Sequence, residues 1–227
     1  MTPAPVVVLG AAGRAGRAVV DEAGRRGVPV VPVVRDPRRH EGRTVAGNAL
    51  DADSVTRTAA GASAIVCAVT PFTAPPPTFD GFDAAFYEHV VDAMCTASAR
   101  TTASRIVMVG LFATLRTSDG RRVLDDPALF PEGLRPFAVA HARAITRLGE
   151  HHADVDWLVL TPPPGLSLDA AVTGTYRLGD DIVTEPGWSI PLSYADLAVA
   201  VLDQISAPTR RREPAAVTGA ATEALVS

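Results

Sequence analysis

Lysine is absent from the 227 residues: all 21 basic side chains are arginine. Any mechanism that needs a catalytic lysine is therefore excluded. Cysteine is scarce. Cys67 and Cys95 stand far apart in apolar surroundings and form no C-x-x-C pair. They read as reduced core residues, which suits a cytoplasmic protein. No metal-ligand spacing is present, and the adjacent His151 and His152 read as a solvated helix end. No apolar run approaches the roughly 20 residues of a membrane span. The N-terminal apolar run has no basic leader and flows into glycines, so it does not read as a signal peptide. The net charge of −4 speaks against a general nucleic-acid or membrane-surface partner.

What is present begins at the N-terminus. Pro5-Val6-Val7-Val8-Leu9 runs into Gly10-Ala11-Ala12-Gly13-Arg14-Ala15-Gly16 and then into a helix-like stretch. The apolar run suits a parallel strand buried on both faces. The spacing G-x-x-G-x-x-G suits a tight turn at Gly10. At Gly13 the main chain can approach a pyrophosphate, and at Gly16 the helix can pack close. The helix N-terminus then offers free N–H groups and partial positive charge to phosphates. Gly10, Ala12, Gly13, Arg14, Ala15 and Gly16 are accordingly expected at a dinucleotide.

The remaining chain alternates strands with helices. The pattern predicts a helix over 14–26, a strand over 28–34 with its prolines at weakly paired positions, and a short strand near 43–50. Asp51 and Asp53-Ser54 offer a helix cap. Further strands are expected over 62–69, 105–110 and 155–160, with helices over 82–103 and 137–152. Gly179-Asp180 signals a hairpin between 175–178 and 181–184. Ser193 caps a last amphipathic helix, Arg210–Arg212 read as solvated, and a final strand follows near 215–217. The fold class is thus α/β, a doubly wound parallel sheet with a small C-terminal cap, as one domain over 1–227. Loops over 71–86, 111–136 and 161–192 border its ligand crevice.

Arg35 and Asp36 end the second strand, where such a sheet meets the adenosine ribose. An acid there favours NAD and an arginine favours NADP. Arg35 comes first and Arg14, Arg38 and Arg39 are expected nearby, so NADP(H) is expected. Asn48 and Ala49 suit the adenine edge, although a plain turn suits Asn48 nearly as well. Ala68, Val69 and Thr70 pass the middle of the cofactor. Gly110, Pro162 and Pro163 belong to its nicotinamide side. Phe72, Phe79, Phe82, Phe86 and Tyr87 form either a substrate wall or core anchors.

These features resemble an atypical short-chain dehydrogenase/reductase with a Rossmann fold, of the NmrA-like group. Within it, the chain is similar to the branch of biliverdin-IX beta reductase and bacterial NADH–flavin reductases. The carriers are the glycine turn, Val33-Val34-Arg35-Asp36, His141-Ala142-Arg143, Asp156-Trp157-Leu158-Val159-Leu160-Thr161-Pro162-Pro163 and Thr173-Gly174-Thr175-Tyr176. The resemblance implies NADP(H), with Arg14 and Arg35 near the 2′-phosphate. It also exposes departures. The family's usual Tyr-x-x-x-Lys is Phe137-Ala138-Val139-Ala140-His141 here. Pro164 stands where the flavin reductase branch has a histidine. The serine expected after the fifth strand is replaced by Thr114 or by no hydroxyl at all.

His141 and Thr114 are therefore the remaining candidates for chemistry. His141 is the best titratable group, with proton transfer expected near neutrality. Its alternative is a structural histidine bonded to a carboxylate or carbonyl. The expected activity is NADPH-dependent reduction of a small aromatic or conjugated substrate of flavin, quinone or enone type. The alternatives are a non-redox isomerase or cyclase, and an NADP(H)-sensing regulator. Substrate identity and the number of chains stay open.

Overall fold

The structure is a computed structural model that describes residues 3–40, 42–72, 76, 78–79, 81–150, 155–183 and 187–220. Strand β1 (Val6–Leu9) lies in the middle of an eight-stranded sheet. Its residues alternate between two cores: Val7 and Leu9 face one, Val6 and Val8 the other. This is why the run reads as continuously apolar rather than alternating.

Helix α1 (Arg14–Arg25) follows, then β2 (Val30–Val34), β3 (Val45–Ala46), α2 (Ala52–Thr58) and β4 (Ala64–Cys67). Helix α3 (Phe86–Arg100), β5 (Arg105–Val109), α4 (Arg135–Glu150) and β6 (Asp156–Thr161) continue the alternation. The chain closes with β7 (Leu166–Ser167), β8 (Tyr176–Leu178), β9 (Leu192–Ser193), α5 (Tyr194–Ser206) and β10 (Glu213–Gly219). The sheet order is β3-β2-β1-β4-β5-β6-β10-β8, parallel except for β8 at the edge, and β7 pairs with β9 separately. Helices α1 and α5 cover one face, and α2, α3 and α4 the other. The doubly wound parallel sheet is as the sequence predicts.

Both prolines of the second strand fall where they cost little. Pro29 precedes β2. The Val33 carbonyl accepts from Gly10 and Ala11 on the β1 side, so Pro32 faces the β3 side, where β3 pairs only Val33 and Val34. No ladder bond is lost. Asp51 caps α2 by accepting from the Asp53 and Ser54 amides, and Ser193 caps α5 by accepting from Asp196 N. Helix α3 starts at Phe86 rather than near 82, because the Asp83 carboxylate takes the Ala85 amide at 2.8 Å and holds a turn there.

Two expectations need correction. The hairpin about Gly179-Asp180 does not form. Residues 176–178 pair antiparallel with β10, and Gly179 N continues that edge by donating to Ala216 O at 2.9 Å. Ile182 instead bridges to Arg116. The local turn signal loses to an open sheet edge supplied by the distant β10. Nor are Arg210 and Arg211 merely solvated. Arg210 pairs with Asp180 at 2.9 Å and Arg211 pairs with Asp156. Asp156 also holds the buried Arg105 guanidinium at 2.5 Å, and Arg105 donates further to the Gln204 and Arg210 carbonyls. His151, His152 and Thr184 lie outside the described residues.

Candidate functional site

The C-terminal ends of β1, β2, β4, β5 and β6 line one edge of the sheet, and most of the singled-out residues stand there. Gly10 has φ +81, and a Cβ on it would lie 2.6 Å from the Ala68 carbonyl oxygen. Only glycine fits both the backbone and the space. A Cβ on Gly16 would run into the Gly10 carbonyl, so the third glycine permits close approach of α1 to the turn itself. Gly13 is the exposed N-cap of α1 and has no side-chain cap. The amides of Ala12, Arg14, Ala15 and Gly16 have no hydrogen-bond partner among the described residues. Four unspent donors at the positive end of a helix make a cradle for an anionic diphosphate.

Beside this cradle stands the end of β2. Asp36 is the N-cap of the short turn Pro37–Arg39, and its carboxylate accepts from Arg38 N at 3.2 Å and Arg38 Nε at 3.0 Å. The hydrogen bond from Arg38 holds the carboxyl below its ordinary range. Arg35 and Arg14 are exposed and carry no ion pair or hydrogen bond with any described side chain. The acid is spent on its own turn and the two arginines are free.

Asn48 is exposed, and its Oδ1 accepts from Leu50 N at 3.1 Å, so it serves the turn before α2; Ala49 sits half-buried within that turn. Ala68 lies against the glycine turn and donates its amide to Leu9 O at 3.0 Å. Thr70 uses its hydroxyl on Phe72 O at 2.7 Å. Gly110 donates to Leu160 O at 2.8 Å. A Cβ there would strike the Thr161 hydroxyl, which is fully buried and has no hydrogen-bond partner among the described residues. Pro162 and Pro163 are buried behind it, whereas Pro164 is exposed.

The two candidates for chemistry are placed differently from expectation. His141 is 6 % exposed, and burial pushes its pKa down to about 3. Its ring stacks on Tyr87 at 3.9 Å between centroids and meets Phe137 edge-on at 4.8 Å. It is neutral at physiological pH and is no imidazolium donor near neutrality, because an aromatic enclosure replaces the water that would stabilise its charge. Thr114 is buried as well, and its hydroxyl donates to Leu111 O at 2.8 Å. That proton is committed to a local turn within a small cap core of Ala113, Val123, Phe130 and Ala138.

The aromatic residues form two tiers. Tyr87 is fully buried, and its hydroxyl donates to the Val69 carbonyl at 3.1 Å. Above it Phe72, Phe79, Phe82 and Phe137 are half-buried and pack on one another at 5.0–6.1 Å. Tyr87 is thus a core anchor, and the half-buried phenylalanines pack over it in the same cluster. Sequence reasoning missed Phe137 as a member of this wall; it had marked the position only as a lost tyrosine. It also missed Asp196, which is buried and accepts from Thr173 N, Thr173 Oγ1 and Gly174 N at 2.7–3.1 Å. The S-x-x-D spacing after β9 is the available signal for that residue.

A hollow of ≈ 540 Å³ lies at the opposite end of β2, lined by Val20, Val28, Val30, Val31, Arg43 and Val45 among others. Between β2 and β3 the described residues form only the short turn Pro37–Arg39.

Comparison with known proteins agrees with this geometry. The family model described as NAD(P)H-binding matches residues 10–208. The uncharacterised protein YwnB of Bacillus subtilis (strain 168) is 29% identical over 212 residues, covering 91% of this chain and 94% of that protein. The structure of SP1627 from Streptococcus pneumoniae TIGR4, described as a candidate NADH-flavin reductase, is 25% identical with a TM-score of 0.78, covering 96% of this chain and 100% of that one. A candidate epimerase from Bacteroides thetaiotaomicron shares the fold at TM-score 0.78 and 23% identity, covering 97% and 99%. The chain belongs to the NAD(P)H-binding family, as an atypical short-chain dehydrogenase/reductase of the NmrA-like kind.

Proposed function

We propose that the protein is an NADPH-dependent reductase of a small, flat aromatic or conjugated acceptor. The observation that carries this reading is the wall of half-buried phenylalanines at the strand ends beside the glycine turn, with Tyr87 bonded to Val69 beneath it. Edge-to-face packing of that kind favours a planar apolar ring over a flexible polyol.

The residues fit the cofactor. The free amides of α1 and the close approach at Gly10 and Gly13 suit the diphosphate. Ala68, Val69 and Thr70 would border its middle and half-buried Gly110 its nicotinamide end, with the buried Pro162 and Pro163 supporting that end from behind. Arg35 and Arg14 recognise the 2′-phosphate, supported by their exposed, unengaged guanidinium groups and by the engagement of Asp36 with Arg38. The bound nicotinamide supplies hydride. His141 remains neutral and acts as packing beneath the wall, so the acceptor takes its proton from water. Two buried, unpaired cysteine thiols support a cytoplasmic setting.

NADPH oxidation is measured with a panel of flavins, quinones and enones, and turnover is expected with at least one. Tight NADPH binding without turnover of any acceptor would favour a sensing role. Product formed without cofactor consumption would favour an isomerase. Arg35→Ala is expected to weaken NADPH binding about tenfold to a hundredfold, as for a lost charge-assisted bond, with little effect on NADH. Equal losses for both cofactors sink the NADP(H) assignment.

A further inference from the structure

Tyr87 joins α3 to the segment that follows β4. Its backbone belongs to the first turn of α3, yet its hydroxyl reaches the Val69 carbonyl, two residues beyond β4. Val69 follows Ala68, whose carbonyl lies against Gly10 and within 3.8 Å of where a Cβ on Gly13 would stand. The other side of the phenol ring is stacked by His141 at 3.9 Å and meets Phe137 at 5.9 Å. Phe137 in turn packs against Phe72, Phe79 and Phe82. A continuous line of contacts therefore runs from the glycine turn through Ala68 and Val69 to Tyr87, and on to the aromatic wall.

We propose that Tyr87 is a positioning residue that fixes the Val69 peptide at the cofactor and couples cofactor binding to occupancy of the aromatic wall. It is not the missing acid: its hydroxyl proton is engaged by a carbonyl and it has no exposed surface. It acts through the strap after β4. When its hydroxyl bond holds, the Val69 peptide has one orientation and the ring offers His141 and Phe137 a fixed floor. When the bond is lost, the carbonyl of half-buried Val69 loses its donor and the strap is less tightly held. The coupling rests on the reading of the wall as an acceptor site; the effect on cofactor binding does not.

Tyr87→Phe keeps the ring and removes only the hydroxyl. Val91→Ala, equally buried one turn further along α3, serves as the control for general loosening of the helix. The NADP+ dissociation constant is expected to rise roughly threefold to tenfold in Tyr87→Phe, the worth of one hydrogen bond, and to stay within about twofold in Val91→Ala. An unchanged constant in Tyr87→Phe, or an equal rise in both variants, overturns the proposal. Riboflavin fluorescence supplies the second arm. Saturating NADP+ should change riboflavin affinity in the wild type and leave it unchanged in Tyr87→Phe, because coupling between sites is reciprocal and needs the link. The same change in both proteins overturns the coupling. Neither arm needs turnover, so a wild type that binds NADP+ yet reduces no acceptor refutes the proposed function while the binding comparison still decides the role of Tyr87.

Discussion

Acid should destabilise this protein through His141 in a way that can be isolated from every other group. The imidazole has an ordinary value of 6.5 and is pushed down to about 3 by burial against Tyr87 and Phe137. Between those values the unfolded chain binds a proton that the folded chain refuses. Stability therefore rises with pH across that window and is level above it. Carrying the protein from pH 7 to pH 5 charges the imidazole only in the unfolded chain, a loss of about 2 kcal/mol, and the full span down to pH 3 is worth on the order of 5 kcal/mol. Carboxylates titrate over part of the same range, so the measurement is a difference of differences. Urea unfolding of the wild type and of His141→Phe is compared at pH 7 and pH 5. The wild type should lose about 2 kcal/mol more than the variant over that interval, whatever the substitution costs at pH 7. Equal losses in the two proteins would show that His141 titrates normally in the folded state, and the buried stacked arrangement would be refuted with it.

Other substitutions test the remaining framework. Gly16→Ala drives a methyl into the Gly10 carbonyl, so it should cost about 1–3 kcal/mol in a thermal melt and abolish detectable NADPH binding. Arg105→Leu removes three hydrogen bonds from the base of β5 and should cost about 3–5 kcal/mol by urea denaturation without altering NADPH affinity. Asp196→Asn weakens the acceptor for Thr173 and Gly174; a loss of about 1–3 kcal/mol and faster amide exchange confined to 173–174 are expected.

The parts of the molecule legible in the sequence are those set by neighbours along the chain. The glycine turn, the caps at Asp51 and Ser193 and the buried strand β1 depend on residues within a few positions of each other. The capture of Asp36 by Arg38 was equally local: aspartate followed by proline marks an N-cap with proline at the first helical position. The expectation of a ribose ligand at the end of β2 hides that cap. What the sequence hides is decided across distance. The protonation of His141 depends on rings supplied by α3 and by α4. Residues 176–178 choose β10 over their nearest neighbours because an unpaired edge offers more hydrogen bonds than a two-residue turn can hold in place.

The contact between Gly110 and Thr161 constrains how this chain can change. Position 110 follows β5, close to where the resemblance leads one to expect a serine. A side chain installed there would bring its first carbon against the Thr161 hydroxyl and, at 2.8 Å, the Val159 methyl, so both neighbours must turn or shrink to admit it. A lineage at this point meets a packing cost on the direct path toward the ordinary hydroxyl. Laboratory evolution that screens single substitutions would pass over position 110, whereas a library varying 110, 159 and 161 together would reach it.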